Sequence, residues 1–180
     1  MYLAWHPLKA MIHIDKVVGN INSDSNLKDK YELMLKNDHV ERIEITRLEA
    51  ERSRMRKVSD RGTDLALTLI PGSHINDGDV LLLTEKKLVI AKRIVESVAV
   101  ISLMSNVSPD QLFDTAIKVG HTIGNMHRPI KVTNGKIYLP IQSESEIELF
   151  QKLFSKLGDF DIKHENIIFD PEPGYDIHGH

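Results

Sequence analysis

Between residues 97 and 170 the chain carries start and stop signals so closely spaced that few folds remain open to it. Val98-Ala99-Val100-Ile101-Ser102-Leu103 is a nearly continuous apolar run of strand length, suited to a strand buried on both faces. Ser108-Pro109-Asp110-Gln111 then opens a helix. Ser108 can accept from the first-turn amides, Pro109 takes the first helical position, and Gln111 completes a capping box. This helix is expected to run to about Met126. Asn134-Gly135 stands between Ile130-Lys131-Val132 and Lys136-Ile137-Tyr138-Leu139, a strong hairpin signal because both residues tolerate the positive φ of a type I′ turn. Ser143 and Glu146 form a second capping box. Ile147, Phe150, Leu153, Phe154 and Leu157 then fall on one helical stripe that Gly158 ends. Asp161-Ile162-Lys163 and Ile167-Ile168-Phe169 supply a last strand. The order β-α-β-β-α-β is the ferredoxin-like pattern, assigned to residues 96–170.

Residues 11–95 read as mostly β. Ile12-His13-Ile14 opens a short strand before the turn-rich Gly19-Asn20 and Asn22-Ser23-Asp24-Ser25-Asn26. Arg42-Ile43-Glu44-Ile45-Thr46 and Asp64 to Ile70 alternate as half-buried strands do. Val80-Leu81-Leu82-Leu83 and Leu88-Val89-Ile90-Ala91, separated by Glu85-Lys86-Lys87, form a hairpin. Short strands at this spacing predict a small β-sandwich or barrel-like domain, so the fold class is α+β. Residues 171–180 hold two prolines, two glycines and no hydrophobic periodicity, and read as a flexible tail.

Composition narrows the chemistry. With no cysteine the chain has no disulfide and no thiolate ligand, so a transition-metal site must use imidazole and oxygen, which suit nickel, zinc or copper. No run approaches the roughly 18 apolar residues of a membrane helix. Met1 to Pro7 lack the charged start and apolar core of a signal peptide, and a cytoplasmic location is expected. A net charge of -3 argues against nucleic acid, as does the absence of stacking aromatics from the strand Val98–Leu103. No catalytic constellation stands out, and a non-enzyme is expected.

Gly120-His121-Thr122-Ile123-Gly124-Asn125-Met126-His127-Arg128-Pro129 is the stretch where chemistry can be sought. A glycine inside a helix costs roughly 1 kcal/mol relative to alanine, and here two occur four residues apart. Phe113, Ile117, Gly120, Gly124 and His127 lie along one i+3/i+4 row, whereas His121 points about 120° away around the axis. The two histidines therefore cannot chelate one ion from a single helix face. Two readings stand. The glycines accommodate a bulky core neighbour and His127 caps the helix C-terminus. Alternatively, a second copy of the chain approaches the thinned row and a two-fold axis brings two copies of His127 to one metal ion. Spacing alone favours the first.

Other features carry less. His178-Gly179-His180 ends the chain with a pair able to turn to one ion, or simply with a solvated terminus. Arg52, Arg54 and Arg56 alternate, but Glu49, Glu51 and Asp60 interleave, so a solvated strand face is expected rather than a phosphate track. Asp77-Gly78-Asp79 lacks the remaining ligands of a calcium loop and reads as a turn. His39, His74 and His164 are expected at the surface.

Ile123-Gly124-Asn125-Met126-His127-Arg128-Pro129 resembles the Leu-Gly-Asn-Arg-His-x-Pro motif of the UreE family of urease accessory proteins, which are nickel metallochaperones. The resemblance extends over nearly the whole chain. It takes in Met11-Ile-His-Ile-Asp-Lys-Val-Val-Gly-Asn20, Arg61-Gly-Thr-Asp-Leu-Ala-Leu67, Asp77-Gly-Asp-Val-Leu81 and Pro171-Glu-Pro-Gly-Tyr175. It implies an N-terminal β domain of partner-binding type followed by a ferredoxin-like metal-binding and dimerisation domain. It further implies a homodimer in which His127 of each subunit holds one Ni(2+) ion and His178 or His180 completes the shell. Zn(2+) is a further ion that family members bind. The partners implied are the GTPase of the urease maturation complex and the urease apoprotein, to which nickel is delivered. The sequence departs from the family where Met126 replaces the motif arginine, where Leu139-Pro-Ile-Gln-Ser143 carries no histidine, and where the tail offers two histidines rather than a long run. His121 sits one residue further from the motif than the family's upstream histidine, so no role is carried over to it. Two rival functions are a ferredoxin-like interaction or nucleic-acid-binding module without metal, and a nickel or zinc buffer without delivery.

Overall fold

The computed structural model describes residues 11–104 and 108–171, and the chain divides between Ile94 and Val95 into two compact units. The architecture is mixed α+β with three separate sheets among the described residues.

The first unit contains β1 (Ile12–Ile14), β2 (Gly19–Asn20), α1 (Ser25–Lys36), β3 (Val40–Ile45), α2 (Arg47–Ala50), β4 (Arg54–Val58), β5 (Asp64–Thr68), β6 (Asp79–Leu83) and β7 (Leu88–Arg93). One sheet has the order β1-β5-β4, the other β2-β6-β7-β3. Alternation along the strands sends Ile14, Leu65 and Leu67 of the first sheet and Ile43, Ile45, Leu81, Val89 and Ala91 of the second into one core. The sequence left open a barrel, but neither sheet closes on itself.

Helix α1 corrects the expectation of turns followed by strand. Asp24 accepts from the amides of Asn26 and Leu27, so the Asn/Ser/Asp-rich run is a helix N-terminus. Leu27, Tyr31 and Met34, at i, i+4 and i+7, pack on Val40, Val80, Leu88 and Ile90 over the second sheet's outer face. That stripe is narrow, which is why the periodicity was weak. Alternating Arg54 and Arg56 stand exposed on β4, the solvated strand face expected from the interleaved charges.

Asp77-Gly78-Asp79 is a turn whose carboxylates are already engaged. Asp79 Oδ1 accepts from Asn20 Nδ2 at 2.8 Å and its Oδ2 from the amide of Asn76 at 2.7 Å. Asp77 Oδ1 accepts from the amide of Arg93 at 2.8 Å. Gly78 sits at φ +86, with Asn22 Nδ2 2.6 Å from where a Cβ would stand.

An ion pair with a buried carboxylate ties β3 to the β4–β5 and β6–β7 connections of the same unit. The parallel register of β3 and β7 sets Val40 opposite Leu88, which brings Glu41 beside Lys87. Lys87 Nζ lies 2.8 Å from Glu41 Oε1 and donates to Thr63 Oγ1 at 2.5 Å, while the Ser59 hydroxyl donates to Glu41. Burial pushes the Glu41 carboxyl up. The hydrogen bonds from Lys87, Ser59 and Thr63 and the Lys87 charge outweigh that and hold it at about 2.

The second unit contains β8 (Glu96–Leu103), α3 (Pro109–Gly124), β9 (Lys131–Thr133), β10 (Lys136–Pro140), α4 (Ser145–Phe154) and β11 (Phe160–Ile167). They form one antiparallel sheet of order β11-β8-β10-β9. Ala99, Ile101, Leu139 and Ile162 face Val119 and Ile123 of α3 and Phe150 and Phe154 of α4. Val98 and Val100 pack on the other face with Phe169. Asn134 at φ 52 and Gly135 at φ 70 make the turn between β9 and β10. Ser108 and Gln111 make both bonds of the capping box on α3.

The second expected capping box is only half made. Glu146 reaches back, to the amide of Gln142 at 2.6 Å, but the Ser143 hydroxyl meets Ser145 Oγ at 2.8 Å and caps nothing. A missing cap costs about 1 kcal/mol, whereas fully burying a side chain such as Phe150 or Phe154 stabilises by about 1.5–3 kcal/mol. Packing therefore decides that α4 forms.

Two outcomes are expected. Gly78→Ala should lower the stability of the first unit by at least about 2 kcal/mol in urea unfolding, because the new Cβ meets Asn22 in a backbone conformation that L side chains avoid. Glu41, with its pKa depressed on folding, adds stability that is complete above its ordinary value of 4.5 and is lost as pH falls toward about 2. Glu41→Gln should therefore cost on the order of 2–3 kcal/mol at neutral pH. It should also flatten the fall in stability below pH 4.5, as followed by thermal unfolding across an acid series.

Candidate metal-binding site

Helix α3 ends earlier than the sequence suggested. Asn125 is its C-cap, donating its amide to His121 O at 3.1 Å. The next two amides tighten the turn, Met126 donating to Ile123 O at 2.9 Å and His127 to Gly124 O at 3.1 Å. His127 then adopts φ 52, the left-handed region, with its side chain exposed. It is thus not the last residue of a helical row but a residue turned out from the chain as it leaves the helix.

The turn is anchored on both sides. Met126 and Ile130 pack against the core of the second unit. Arg128 Nη1 lies 2.5 Å from Glu146 Oε2, in the first turn of α4, and donates to the carbonyl of Pro140 at 3.0 Å at the end of β10. Glu146 is mostly buried. Burial pushes its carboxyl up, and the hydrogen bonds from Gln142 and Arg128 more than reverse this, leaving it below its ordinary value. Sequence spacing gave no sign of this pair, because its members belong to separate elements. Only the position of Glu146 in a helix's first turn was legible.

The glycine row bears on the first of the two readings left open. A Cβ at Gly120 or Gly124 would meet nothing within 4 Å among the described residues. Neither glycine makes room for a core neighbour, so that explanation fails. On the same side of α3, Phe113 is 66% and Ile117 55% exposed. Among the described residues the row is an apolar, thinned surface with no steric cause.

The remaining histidines do not join His127. His121 is exposed and its Nε2 stands 3.3 Å from Asn125 Nδ2, one turn along the same helix. His164 corrects the expectation of a surface residue. It is half-buried on β11, with Nδ1 3.4 Å from Glu144 Oε1. His74 is exposed but touches the buried Arg93, its Nε2 3.0 Å from Arg93 Nη1. Among the described residues no three His, Asp or Glu side chains gather where they could hold a metal ion. His178 and His180 lie outside the described residues.

The first unit has an open cleft lined by Arg42, Glu44, Arg56, Lys57, Asp60 and Lys92. Arg56 pairs with Asp64 at 2.6 Å, Lys57 with Glu49 at 2.9 Å and Lys92 with Asp77 at 3.2 Å. Cations so engaged form a solvated face, not a phosphate track. Among the described residues no helix is long and apolar enough to cross a membrane.

These features define a two-unit α+β protein whose second unit presents an exposed histidine at the end of a thinned helix face. A family model described as "UreE urease accessory protein, N-terminal domain" matches residues 14–92. The urease accessory protein UreE of Yersinia enterocolitica serotype O:8 / biotype 1B is 33% identical over 135 residues, 73% of this chain and 57% of that protein. That of Yersinia rohdei is 34% identical over 135 residues, 73% of this chain and 58% of its own. The chain belongs to the UreE family of urease accessory proteins. It spans less than two thirds of the length of these curated relatives.

Because no described residue fills the space beside the glycines, replacing them should help the isolated fold. Gly120→Ala with Gly124→Ala is expected to raise the thermal stability of dilute protein, by up to about 1 kcal/mol per site. If a second copy covers this row, self-association followed by sedimentation at rising concentration should weaken in the same variant.

Proposed function

We propose that this protein is a nickel-binding metallochaperone that acts as a homodimer and delivers nickel to the urease maturation complex. The observation that carries the reading is the pairing of an exposed His127 with the bare row of Phe113, Ile117, Gly120 and Gly124. A second copy covering that row across a two-fold axis would bring two His127 imidazoles to one ion. An imidazole and oxygen donor set without thiolate suits Ni(2+), with Zn(2+) as the competing ion. His178 and His180 are proposed to complete the shell.

The division into an N-terminal β-sandwich domain over residues 11–95, a ferredoxin-like metal-binding and dimerisation domain over residues 96–170 and a histidine-bearing tail over residues 171–180 is part of this reading. The strand order of the second unit supports its ferredoxin-like assignment. The receiving partners are the maturation GTPase and the urease apoprotein, in the cytoplasm. The role is that of a carrier and not of an enzyme.

Calorimetric titration with nickel should give about one tightly bound ion per dimer, and His127→Ala should abolish that binding while leaving the fold intact. His178→Ala with His180→Ala should weaken binding without abolishing it. Unchanged nickel affinity in the His127 variant would refute the proposal. It would leave the chain as an interaction module without metal.

A further inference from the structure

We infer that Arg128 and Glu146 form a positioning clamp that fixes the left-handed turn at His127 and so sets the affinity of the proposed metal site; this rests on the nickel-binding reading above. A bulky residue at φ 52 is disfavoured by roughly 1–2 kcal/mol and persists only where its surroundings over-determine it. Here the surroundings can be named. Upstream, the chain is held by the amide bonds of Met126 and His127 to Ile123 and Gly124, and by Met126 packed against the core. Downstream, the residue next to His127 carries a guanidinium. One nitrogen of it serves both Glu146 Oε2 at 2.5 Å and the Pro140 carbonyl at 3.0 Å.

Glu146 is itself fixed, because its other oxygen accepts from the Gln142 amide at 2.6 Å. The clamp thus ties the exit from α3 to the end of β10 and the start of α4. Arg128 side-chain exposure is 28% and that of Glu146 is 16%, so solvent screens this pair less than a surface ion pair. His127, between the two anchored flanks, is the residue left exposed. Arg128 is a positioning residue: it acts through the backbone of His127 and is not itself a ligand.

The test is nickel titration of the full chain, with the melting temperature and dimer fraction of each variant recorded alongside. Arg128→Met and Glu146→Gln should each weaken nickel binding by about 10-fold, within the range found when partners that orient a metal ligand are removed. The double variant should be no weaker than either single one, because both break one clamp. Arg128→Lys retains a charged donor and should bind within about 3-fold of the parent, a rescue that a loss of general packing would not show. If Arg128→Met destabilises the fold, Glu146→Gln, which keeps its shape, decides the matter. The inference is overturned if both clamp variants stay folded and bind nickel as the parent does while His127→Ala has lost it. If His127→Ala itself keeps full affinity, the metal reading fails first and the clamp's role in it falls with it.

Discussion

Strand β8 is paired along both of its edges and buried on both of its faces, and the second unit is arranged by that. Eight of its residues register with β11 and five with β10. Ala99 and Ile101 look toward the helices while Val98 and Val100 look the other way, and all four are at most 4% exposed. Burying such a side chain stabilises by about 1.5–3 kcal/mol, more than a single helix cap supplies. That is why α4 forms despite an incomplete cap. It is also why α3 can give up one side to solvent, since Val119 and Ile123 seat it on the sheet.

The exposed side of α3 is where stability and proposed function diverge. A helix that had only to pack would not carry two glycines in its last turns with no described residue filling their space. Nor would it present Phe113 and Ile117 to water on the same side. The local rules are broken together and at one place, next to His127. Such concentrated departures are expected at functional sites. In the first unit the departures are of another kind. Glu41 is buried and fully engaged with Lys87 and its hydroxyl partners, and the acidic turn at Gly78 spends its carboxylates on backbone amides and Asn20. Those groups hold the fold and leave no ligand to spare.

How much could be read in advance differs by element. The capping box at Ser108, the turn at Asn134-Gly135 and the order of the second unit were legible, since each depends on residues a few positions apart. Helix α1 was not. Its cap is written in the same Asn, Ser and Asp residues as a turn, and only three positions of it face the sheet. The end of α3 was misjudged by two residues because the amides of Met126 and His127 tighten the turn in a way that propensity does not encode.

The sequence by itself determined the element order of the second unit, and that chemistry would be sought at the segment ending in His127. Caps, turns and the stripe of apolar residues act over one helical turn or one hairpin, so a linear reading reaches them. The tertiary structure alone decided that His127 turns out at φ 52, that Arg128 meets Glu146 and Pro140, and that no described residue occupies the space at Gly120 and Gly124. Each depends on which strands lie side by side and in what register, a choice made by burial across the whole core and not by any neighbour in sequence.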